Sequence, residues 1–234
     1  MKPFVDIHTH HKIDRNIIAI RNIDVDNLTD IDVSSFYSIG IHPWKLGIQE
    51  FWTSGLQGNQ NLLEFLGSRI SGIQKSRDPN FLALGECGLD RACCHDFEAQ
   101  KRLFIKHIEL SEQYVKPLII HCVRSYPDII SIRKETKAKQ TWIIHGFQGN
   151  EQTTEQLLRH EEIYLSIGEV LFKNEDKARR LFEIIPSDRL FFETDDSERE
   201  ISDVYEKAAL LSGKDVAVFC RDIFNNFEKN FGKI

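Results

Sequence analysis

The sequence predicts an α/β protein with a (β/α)8 barrel fold, in which the region between strands 1 and 3 is abbreviated. Short runs rich in β-branched and aromatic residues alternate along the chain with longer amphipathic stretches. Several of the short runs are almost continuously apolar, which is typical of buried parallel strands. The chain has 234 residues, of which 41% are hydrophobic, and this length suits one α/β barrel. We therefore expect a single domain over residues 1–234.

Eight segments have the composition expected of strands. They cover residues 3–8, 16–21, 36–42, 81–86, 116–121, 141–146, 163–168 and 190–195. The second segment is the weakest, because its flanks are short and its pattern also fits a helix. Only 24 residues, 11–34, hold the first helix, strand 2 and the return to strand 3. One helix of the ideal barrel is therefore expected to be missing there or reduced to a turn.

Two of the predicted helices have clear apolar stripes. The first covers residues 96–115, and Asp96 is its predicted N-cap. Its expected apolar face consists of Leu103, Phe104, Ile108 and Val115. The second is the last helix of the chain, with Asp215 as its predicted N-cap. Its apolar face consists of Val216, Phe219, Ile223, Phe227 and Phe231.

Composition argues against several classes of protein. The chain has no run of about 18 apolar residues, so we expect no transmembrane helix. The N-terminus has no apolar segment typical of a secretory signal. Five cysteines without a CxxC pair favour a reducing cytoplasm over a disulfide framework. The net charge of -6 argues against a general nucleic-acid-binding surface, although local basic patches are present. The two patches are Arg91, Lys101, Arg102 and Lys106, and Lys173, Lys177, Arg179 and Arg180.

Polar residues stand at or directly after the ends of the predicted strands. They are His8, His10, His42, Glu86, His121, His145 and Asp195. In a barrel, the C-terminal strand ends share one face, where active sites are built. His121 and His145 are 24 residues apart, which is one βα unit, and Asp195 follows 50 residues later. Distant segments are thus expected to bring imidazoles and carboxylates together.

These side chains have the chemistry of metal ligands. Imidazole nitrogens and carboxylate oxygens suit Zn²⁺, Mn²⁺, Fe²⁺ or Ni²⁺. Alternation along a strand places His8 and His10 on the same face, so both can reach one ion, whereas His11 points elsewhere. A single carboxylate such as Glu86 can bridge two ions, and a two-metal site suits phosphoryl or carbonyl chemistry. We therefore predict one or two divalent ions, Zn²⁺, Mg²⁺ or Mn²⁺.

Several motifs, in this order, resemble the TatD-type metal-dependent hydrolases (TatD-related deoxyribonucleases) of the amidohydrolase superfamily. They extend through nearly the whole chain. They are DIHTH (6–10), GIHP (40–43), GECGLD (85–90), QKRLF (100–104), PLIIHCVR (117–124), HGFQG (145–149), SIG (166–168), ETD (193–195) and NNFEKNF (225–231).

The resemblance implies a metal-lined TIM barrel that hydrolyses phosphodiester bonds with a metal-activated water, as a deoxyribonuclease does. It implies that one ion is held by His8, His10, Glu86 and Asp195. A second ion would be held by Glu86, His121 and His145. Asp195 would also orient the attacking water or take its proton, which makes Asp195 and Glu86 the predicted catalytic residues. His42 and Arg124 would lie near the substrate phosphate, although a simple turn at GIHP or an ion pair of Arg124 would also explain these two residues.

The sequence departs from the family pattern after Asp195. The family has Ser-Pro there and later an Asn-Glu-Pro segment, whereas this chain reads DSEREISD and continues into a helix. The substrate is therefore predicted to be DNA or, alternatively, a small phosphoester, an amide or a lactone hydrolysed on the same scaffold. A barrel that serves only as a scaffold is the non-enzymatic alternative. No membrane contact and no obligate protein partner are expected.

Overall fold

The computed structural model describes residues 2–11, 17–31, 35–47, 59–93 and 95–233. Eight strands follow one another in a single sheet in chain order. Their bounds are β1 Val5–Thr9, β2 Ile18–Asp24, β3 Phe36–Gly40, β4 Phe81–Asp90, β5 Leu118–Val123, β6 Trp142–Ile144, β7 Ile163–Ile167 and β8 Leu190–Phe192. Each predicted strand overlaps one of them, and the predicted (β/α)8 barrel fold is confirmed.

The helices lie between and after these strands. The described helices are α1 Asn59–Ser76, α2 Phe97–Tyr114, α3 Tyr126–Thr136, α4 Glu151–Leu158, α5 Val170–Lys173, α6 Glu175–Ile184, α7 Ile201–Ser212 and α8 Val216–Phe231. Both predicted N-caps are confirmed. The carboxylate of Asp96 accepts a hydrogen bond from the backbone N–H of Glu98, and that of Asp215 accepts one from Ala217.

The prediction is wrong for one residue of the apolar face of α2, Val115. Val115 follows the last residue of the helix, has φ of 53°, and is 69% exposed. The left-handed backbone turns the chain away from the helix, and the N–H of Lys116 then donates to the carbonyl of Ser111. The helical periodicity that predicted burial therefore no longer applies at this position.

The region between β1 and β3 is short, as predicted. Strand β2 follows β1 closely, and a 3-10 turn at Leu28–Asp30 is the helical element described between β2 and β3. Residues 12–16 and 32–34 fall outside the described part of the chain. Within the residues described before β3, no α-helix is found.

The chain divides into two compact halves. The first consists of Met1–Arg21 with Thr141–Ile234, and the second of Asn22–Gln140. The core of the first half is aromatic, with Trp142, Tyr164, Phe191, Phe192, Tyr205, Phe219 and Phe227 almost fully buried. The core of the second half includes Tyr37, Phe81 and Phe104. Strands β1 and β7 in the first half and β4 in the second are buried at every residue, as parallel strands covered on both faces are.

Two glycines in the second half allow strands to approach closely beside the predicted site residues. A Cβ atom on Gly40 would lie 2.6 Å from the carbonyl oxygen of Glu86. Gly88 has φ of +139°, and a Cβ atom there would lie 2.1 Å from the carbonyl oxygen of His121. Real Cβ atoms do not come this close to backbone atoms, so both positions require glycine.

We expect Gly88→Ala to destabilise the protein by more than about 2 kcal/mol, because the added methyl group collides with β5 and alanine disfavours this backbone conformation. Urea unfolding would measure this change. Gly72→Ala in α1 is the control, since its Cβ atom meets no other atom within 4 Å. That variant should be stabilised by roughly 0.5–1 kcal/mol. The same small effect in both variants would contradict the close approach of β4 to β5.

Candidate metal centre

The first half of the chain brings His8, His10 and Asp195 together. The Nε2 atoms of His8 and His10 lie 3.5 Å and 3.6 Å from Oδ1 of Asp195. The candidate ligand atoms of the three residues all lie within 4.8 Å of one another. The side chain of His8 is fully buried, whereas those of His10 and Asp195 are about one third exposed. This group, cluster A, is therefore open to solvent on one side.

The backbone around Asp195 explains how this residue reaches β1. The N–H of Asp195 donates to the carbonyl of His8, and the N–H of His10 donates to the carbonyl of Asp195. Thr9 and Asp195 thereby form a parallel bridge. Asp195 has φ of 53°, a left-handed conformation that is uncommon for residues other than glycine and is often found at functional sites. Two backbone hydrogen bonds hold the residue in this conformation.

Buried carboxyl groups lie behind cluster A. Glu193 is almost fully buried, and its carboxylate accepts a hydrogen bond from the N–H of Gly146. Oε1 of Glu193 lies 3.8 Å from Nδ1 of His145. Burial raises the pKa of Glu193, the imidazole of His145 lowers it, and the charge of Asp195 raises it again. The rings of His145 and His8 are 4.3 Å apart between centroids. His145 thus lies beside cluster A in the first half.

Asp6 connects β1 to the segment that follows β8. Its carboxyl group accepts hydrogen bonds from the N–H and the hydroxyl of Thr194, at 3.1 Å and 2.6 Å. Burial raises the pKa of Asp6 to about 7, and the bonds from Thr194 oppose this rise. Asp6 therefore links the two segments that carry the residues of cluster A.

The second half brings together His42, Glu86 and His121, which we call cluster B. Oε1 of Glu86 lies 3.1 Å from Nε2 of His42 and 2.9 Å from Nδ1 of His121. The N–H of Trp44 donates to Nδ1 of His42, so Nε2 of this ring carries the proton and donates to Glu86. Glu86 is 5% exposed, and the two histidines are slightly more exposed. The predicted turn at GIHP therefore brings an imidazole to a buried carboxylate.

A further carboxylate orients His121. Oδ2 of Asp90 lies 3.2 Å from Nε2 of His121 and accepts a hydrogen bond of 2.6 Å from the indole N–H of Trp44. Burial alone would raise the pKa of Asp90, but the hydrogen bonds from Trp44, Ala92 and His121 lower it overall. The N–H of Glu86 is itself held by Oδ1 of Asn22 at 2.7 Å. Carboxylates that fix the second nitrogen of a ligating histidine are typical of metal sites.

The residues of both clusters fit a divalent ion. Cluster A combines two imidazoles with one carboxylate, the donor set that Zn²⁺ and Mn²⁺ accept. In cluster B, the carboxylate of Glu86 and the imidazole of His121 offer donors of the same kind.

Arg124 directly follows β5, three residues after His121. It is exposed and has φ of 52°, a second left-handed residue at the end of a strand. Ser125 begins the turn into α3, where its hydroxyl donates to the carbonyl of Val123. The predicted position of Arg124 at a strand end is thus observed, and its contact with a phosphate stays a prediction.

Helix α2 supports the GIHP turn through a buried histidine that the sequence does not identify as a site residue. Nε2 of His107 accepts a hydrogen bond of 3.1 Å from the N–H of Ile41, next to His42. Nδ1 of His107 lies 2.9 Å from the carbonyl of Leu103. The sequence suggests a surface or helix position for His107, but its side chain is fully buried. The helix alternative is therefore correct, and the side chain is buried because α2 packs this face inward.

We expect His107 to make the stability of the protein depend on pH. Burial lowers its pKa from 6.5 to about 4, although the hydrogen bond to Leu103 raises it. Because the folded pKa lies below the unfolded one, the stabilisation is present above about pH 6.5 and is lost as the pH falls toward 4. The loss from this group between pH 7 and pH 5 should be about 2 kcal/mol.

Urea unfolding of the wild type and of His107→Gln at both pH values measures this effect. The glutamine variant should lose less stability on acidification than the wild type does. If the two proteins lose the same free energy of unfolding, His107 is not the titrating group.

Several residues that support the clusters are not among the predicted site residues. They are Asp6, Asn22, Trp44 and Glu193. Asn22 lies one residue beyond the predicted second strand, so no sequence pattern identifies it, whereas strand alternation from Asp195 could have identified Glu193. Asp90 contacts His121. Cys87 and Cys122 are buried, and Cys94 lies outside the described residues.

None of the helices in the described part of the chain has the length and apolarity needed to span a bilayer.

Comparisons with known proteins agree with the motifs. An uncharacterized metal-dependent hydrolase from Buchnera aphidicola is 31% identical over 164 residues, which are 68% of this chain and 58% of the relative. The chain thus spans less than two thirds of the length of that relative. A protein from Erwinia tasmaniensis named 3'-5' ssDNA/RNA exonuclease TatD is 28% identical over 62% of this chain and 57% of its own length.

A solved structure shows the fold, and a family profile shows the family. The crystal structure of YJJV, a TatD homolog from Escherichia coli, has a TM-score of 0.80 at 20% identity and covers 99% of this chain and 98% of its own. The profile of the TatD related DNase family matches residues 19–232. The chain belongs to the TatD related DNase family.

Proposed function

We propose that this protein is a divalent-metal-dependent hydrolase that cleaves phosphodiester bonds, with DNA as its substrate. The observation that carries the proposal is the pairing of two imidazoles with one carboxylate in each half of the chain. The family and the metal-dependent hydrolases among the relatives support the metal requirement. The relative named as a single-stranded DNA and RNA exonuclease supports a nucleic-acid substrate.

We assign the metal ligands to the two clusters. In cluster A, His8, His10 and Asp195 would hold one ion, and in cluster B, Glu86 and His121 would hold another. The expectation that Glu86 serves both ions, and that His145 ligates the second, stays a prediction. When bound, such an ion supplies a nucleophilic water at neutral pH and neutralises charge on a phosphoryl oxygen.

The residues of the chain would perform the remaining steps. Asp195 is partly exposed, so its carboxylate can orient an attacking water and take its proton. Arg124 is exposed at the end of β5, and its guanidinium can grip a phosphate through two parallel hydrogen bonds. His42 presents an Nε2–H that is shared with Glu86 and can turn to a phosphate oxygen.

A small phosphoester is a second candidate substrate, and the charge distribution favours it. Most cations of both basic patches are paired with carboxylates, and Lys177 donates to the carbonyl of Gln148. In one patch, Arg91, Lys101, Arg102 and Lys106 lie within 4.0 Å of Asp128, Glu98, Asp96 and Glu109 respectively. In the other, Lys173, Arg179 and Arg180 lie beside Glu169, Glu175 and Glu151. A long DNA backbone normally needs many unneutralised cations. A DNA end or a short nucleotide ester suits this surface better than a long duplex.

The other expectations from the sequence stay predictions. They are a single domain, a cytoplasmic location and independence from an obligate protein partner. An amide or lactone substrate, and a scaffold without activity, stay the remaining alternatives.

The proposal is tested with protein stripped of metal by a chelator and reloaded separately with Zn²⁺, Mg²⁺ or Mn²⁺. Each preparation is incubated with end-labelled single-stranded DNA, the matching duplex and bis(p-nitrophenyl) phosphate. Metal-dependent shortening of DNA from its ends is the expected result. Cleavage of the chromogenic ester alone would support a metal-dependent phosphodiesterase whose substrate is a small molecule and not DNA. No cleavage by any metal-loaded form would overturn the proposal and direct the search to amides and lactones.

A further inference from the structure

Trp44 occupies an unusual position beside cluster B. It lies in the 3-10 turn Pro43–Gly47 that follows β3, two residues after His42. The residue is 54% exposed, and Val115 and Leu210 are the only other large hydrophobic residues exposed in the described part of the chain. A tryptophan that is half open to solvent keeps a large aromatic area available for contact with a ligand.

The indole is nevertheless held in one orientation. Its Nε1–H donates to Oδ2 of Asp90 at 2.6 Å, and its backbone N–H donates to Nδ1 of His42 at 3.2 Å. The indole stands edge-to-face to two rings of cluster B. The centroid of the His42 ring lies 4.7 Å away at 79°, and that of His121 lies 5.8 Å away at 75°. A flat aromatic surface is thus fixed beside the groups proposed to act on a phosphate.

A purely structural role accounts for only part of these contacts. Orienting Asp90, and through it His121, requires a hydrogen-bond donor, which a smaller polar side chain could supply. That role leaves the exposed area of the indole unexplained. Pre-oriented, exposed aromatic rings beside phosphate-binding groups are the means by which proteins stack nucleobases without reading their sequence.

We infer that Trp44 is a stacking platform for the base attached to the scissile phosphate, so that the enzyme prefers nucleotidyl esters to simple alkyl esters. The inference rests on the proposed phosphodiesterase function and specifies its substrate class. The base would lie against the open part of the indole, while its phosphate lies at cluster B and Arg124. Stacking is sequence-tolerant, so any base would be accepted.

The test compares two esters with the same leaving group: thymidine 5'-(p-nitrophenyl phosphate) and methyl p-nitrophenyl phosphate. We expect Trp44→Ala to lower the ratio of kcat/KM for the thymidine ester to kcat/KM for the methyl ester by about 5- to 150-fold, mainly through KM for the thymidine ester. Any loss on the methyl ester reports the lost hydrogen bond to Asp90 and should be matched by Trp44→Phe. Trp44→Phe keeps an aromatic face but loses the N–H donor, and it should retain most of the preference for thymidine. Leu210→Ala, an exposed apolar residue of α7, is the control and should behave as the wild type.

Two outcomes would overturn the inference. Equal losses on both esters, shared by Trp44→Phe, would mean that Trp44 acts only by positioning Asp90 and His121. Unchanged kinetics of Trp44→Ala on both esters would mean that the indole contacts no substrate.

A binding measurement separates a failure of this inference from a failure of the proposed function. Fluorescence anisotropy of a labelled oligothymidylate is recorded with wild type, Trp44→Ala, Trp44→Phe and Leu210→Ala. If the wild type cleaves neither ester, the proposed phosphodiesterase function is wrong. The anisotropy measurement then decides by itself whether Trp44 is a stacking platform. Weaker binding by Trp44→Ala alone, by about 5-fold or more, would support the platform, and equal binding by all four proteins would exclude it.

Discussion

Replacing Glu86 with glutamine should lower kcat/KM for phosphodiester hydrolysis by at least about 10³-fold, since a metal ion contributes several kcal/mol to transition-state stabilisation. The carboxylate of Glu86 is the acceptor shared by His42 and His121, at 3.1 Å and 2.9 Å. Glutamine has nearly the same shape but no negative charge, and its amide would direct N–H groups at these imidazoles. Metal content measured by mass spectrometry should fall together with activity.

Glu135→Gln is the matched control for this variant. Glu135 is an exposed carboxylate of α3 in the same half of the chain, and its Oε1 accepts a hydrogen bond from Ser131. The Glu135→Gln variant loses the same negative charge as Glu86→Gln, and it should keep wild-type activity and metal content. Normal activity in Glu86→Gln would contradict the assignment of cluster B as a metal site.

Replacing Asp195 with asparagine should lower kcat by about 10²- to 10⁴-fold, which is the usual contribution of a positioned general base. Oδ1 of Asp195 lies within 3.6 Å of Nε2 of both His8 and His10, so the variant also weakens the ligand set of cluster A. Asparagine tolerates the left-handed backbone at this position. The fold should therefore persist, and thermal unfolding would check this.

The neighbouring Asp196 provides a control with the same change of charge. Asp196 is exposed, and Asp196→Asn should leave kcat close to that of the wild type. An equal loss in both variants would mean that a general change in surface charge, and not the contact with the histidines, reduces activity.

The strands and the strand-end residues could be predicted from the sequence because both depend on local patterns. Nearly continuous apolar runs identify buried parallel strands, and the polar residue that ends each run is visible without any tertiary information. The N-caps at Asp96 and Asp215 are equally local. The predicted end of α2 was wrong because it included Val115. Periodicity does not show where a residue with left-handed backbone ends the helix.

The pairing within the clusters could not be predicted because it depends on tertiary contacts. GIHP suggested a turn, but the contact of His42 with Glu86 arises from the close approach of β3 to β4 at Gly40. Likewise, the extension of β4 to Asp90 brings a second carboxylate to His121, and the sequence pattern of GECGLD does not require a strand there. Trp44 was missed because an isolated aromatic residue after a turn has no periodic pattern.

The requirement for metal is the central claim, and a titration of metal-free protein tests it most directly. Free and bound Mn²⁺ are measured by electron paramagnetic resonance while the rate of phosphodiester hydrolysis is followed in the same sample. The rate should be below about 1% of its maximum in the metal-free protein and should rise in proportion to bound Mn²⁺. The same rate in the presence of a chelator as in the loaded protein would contradict the account.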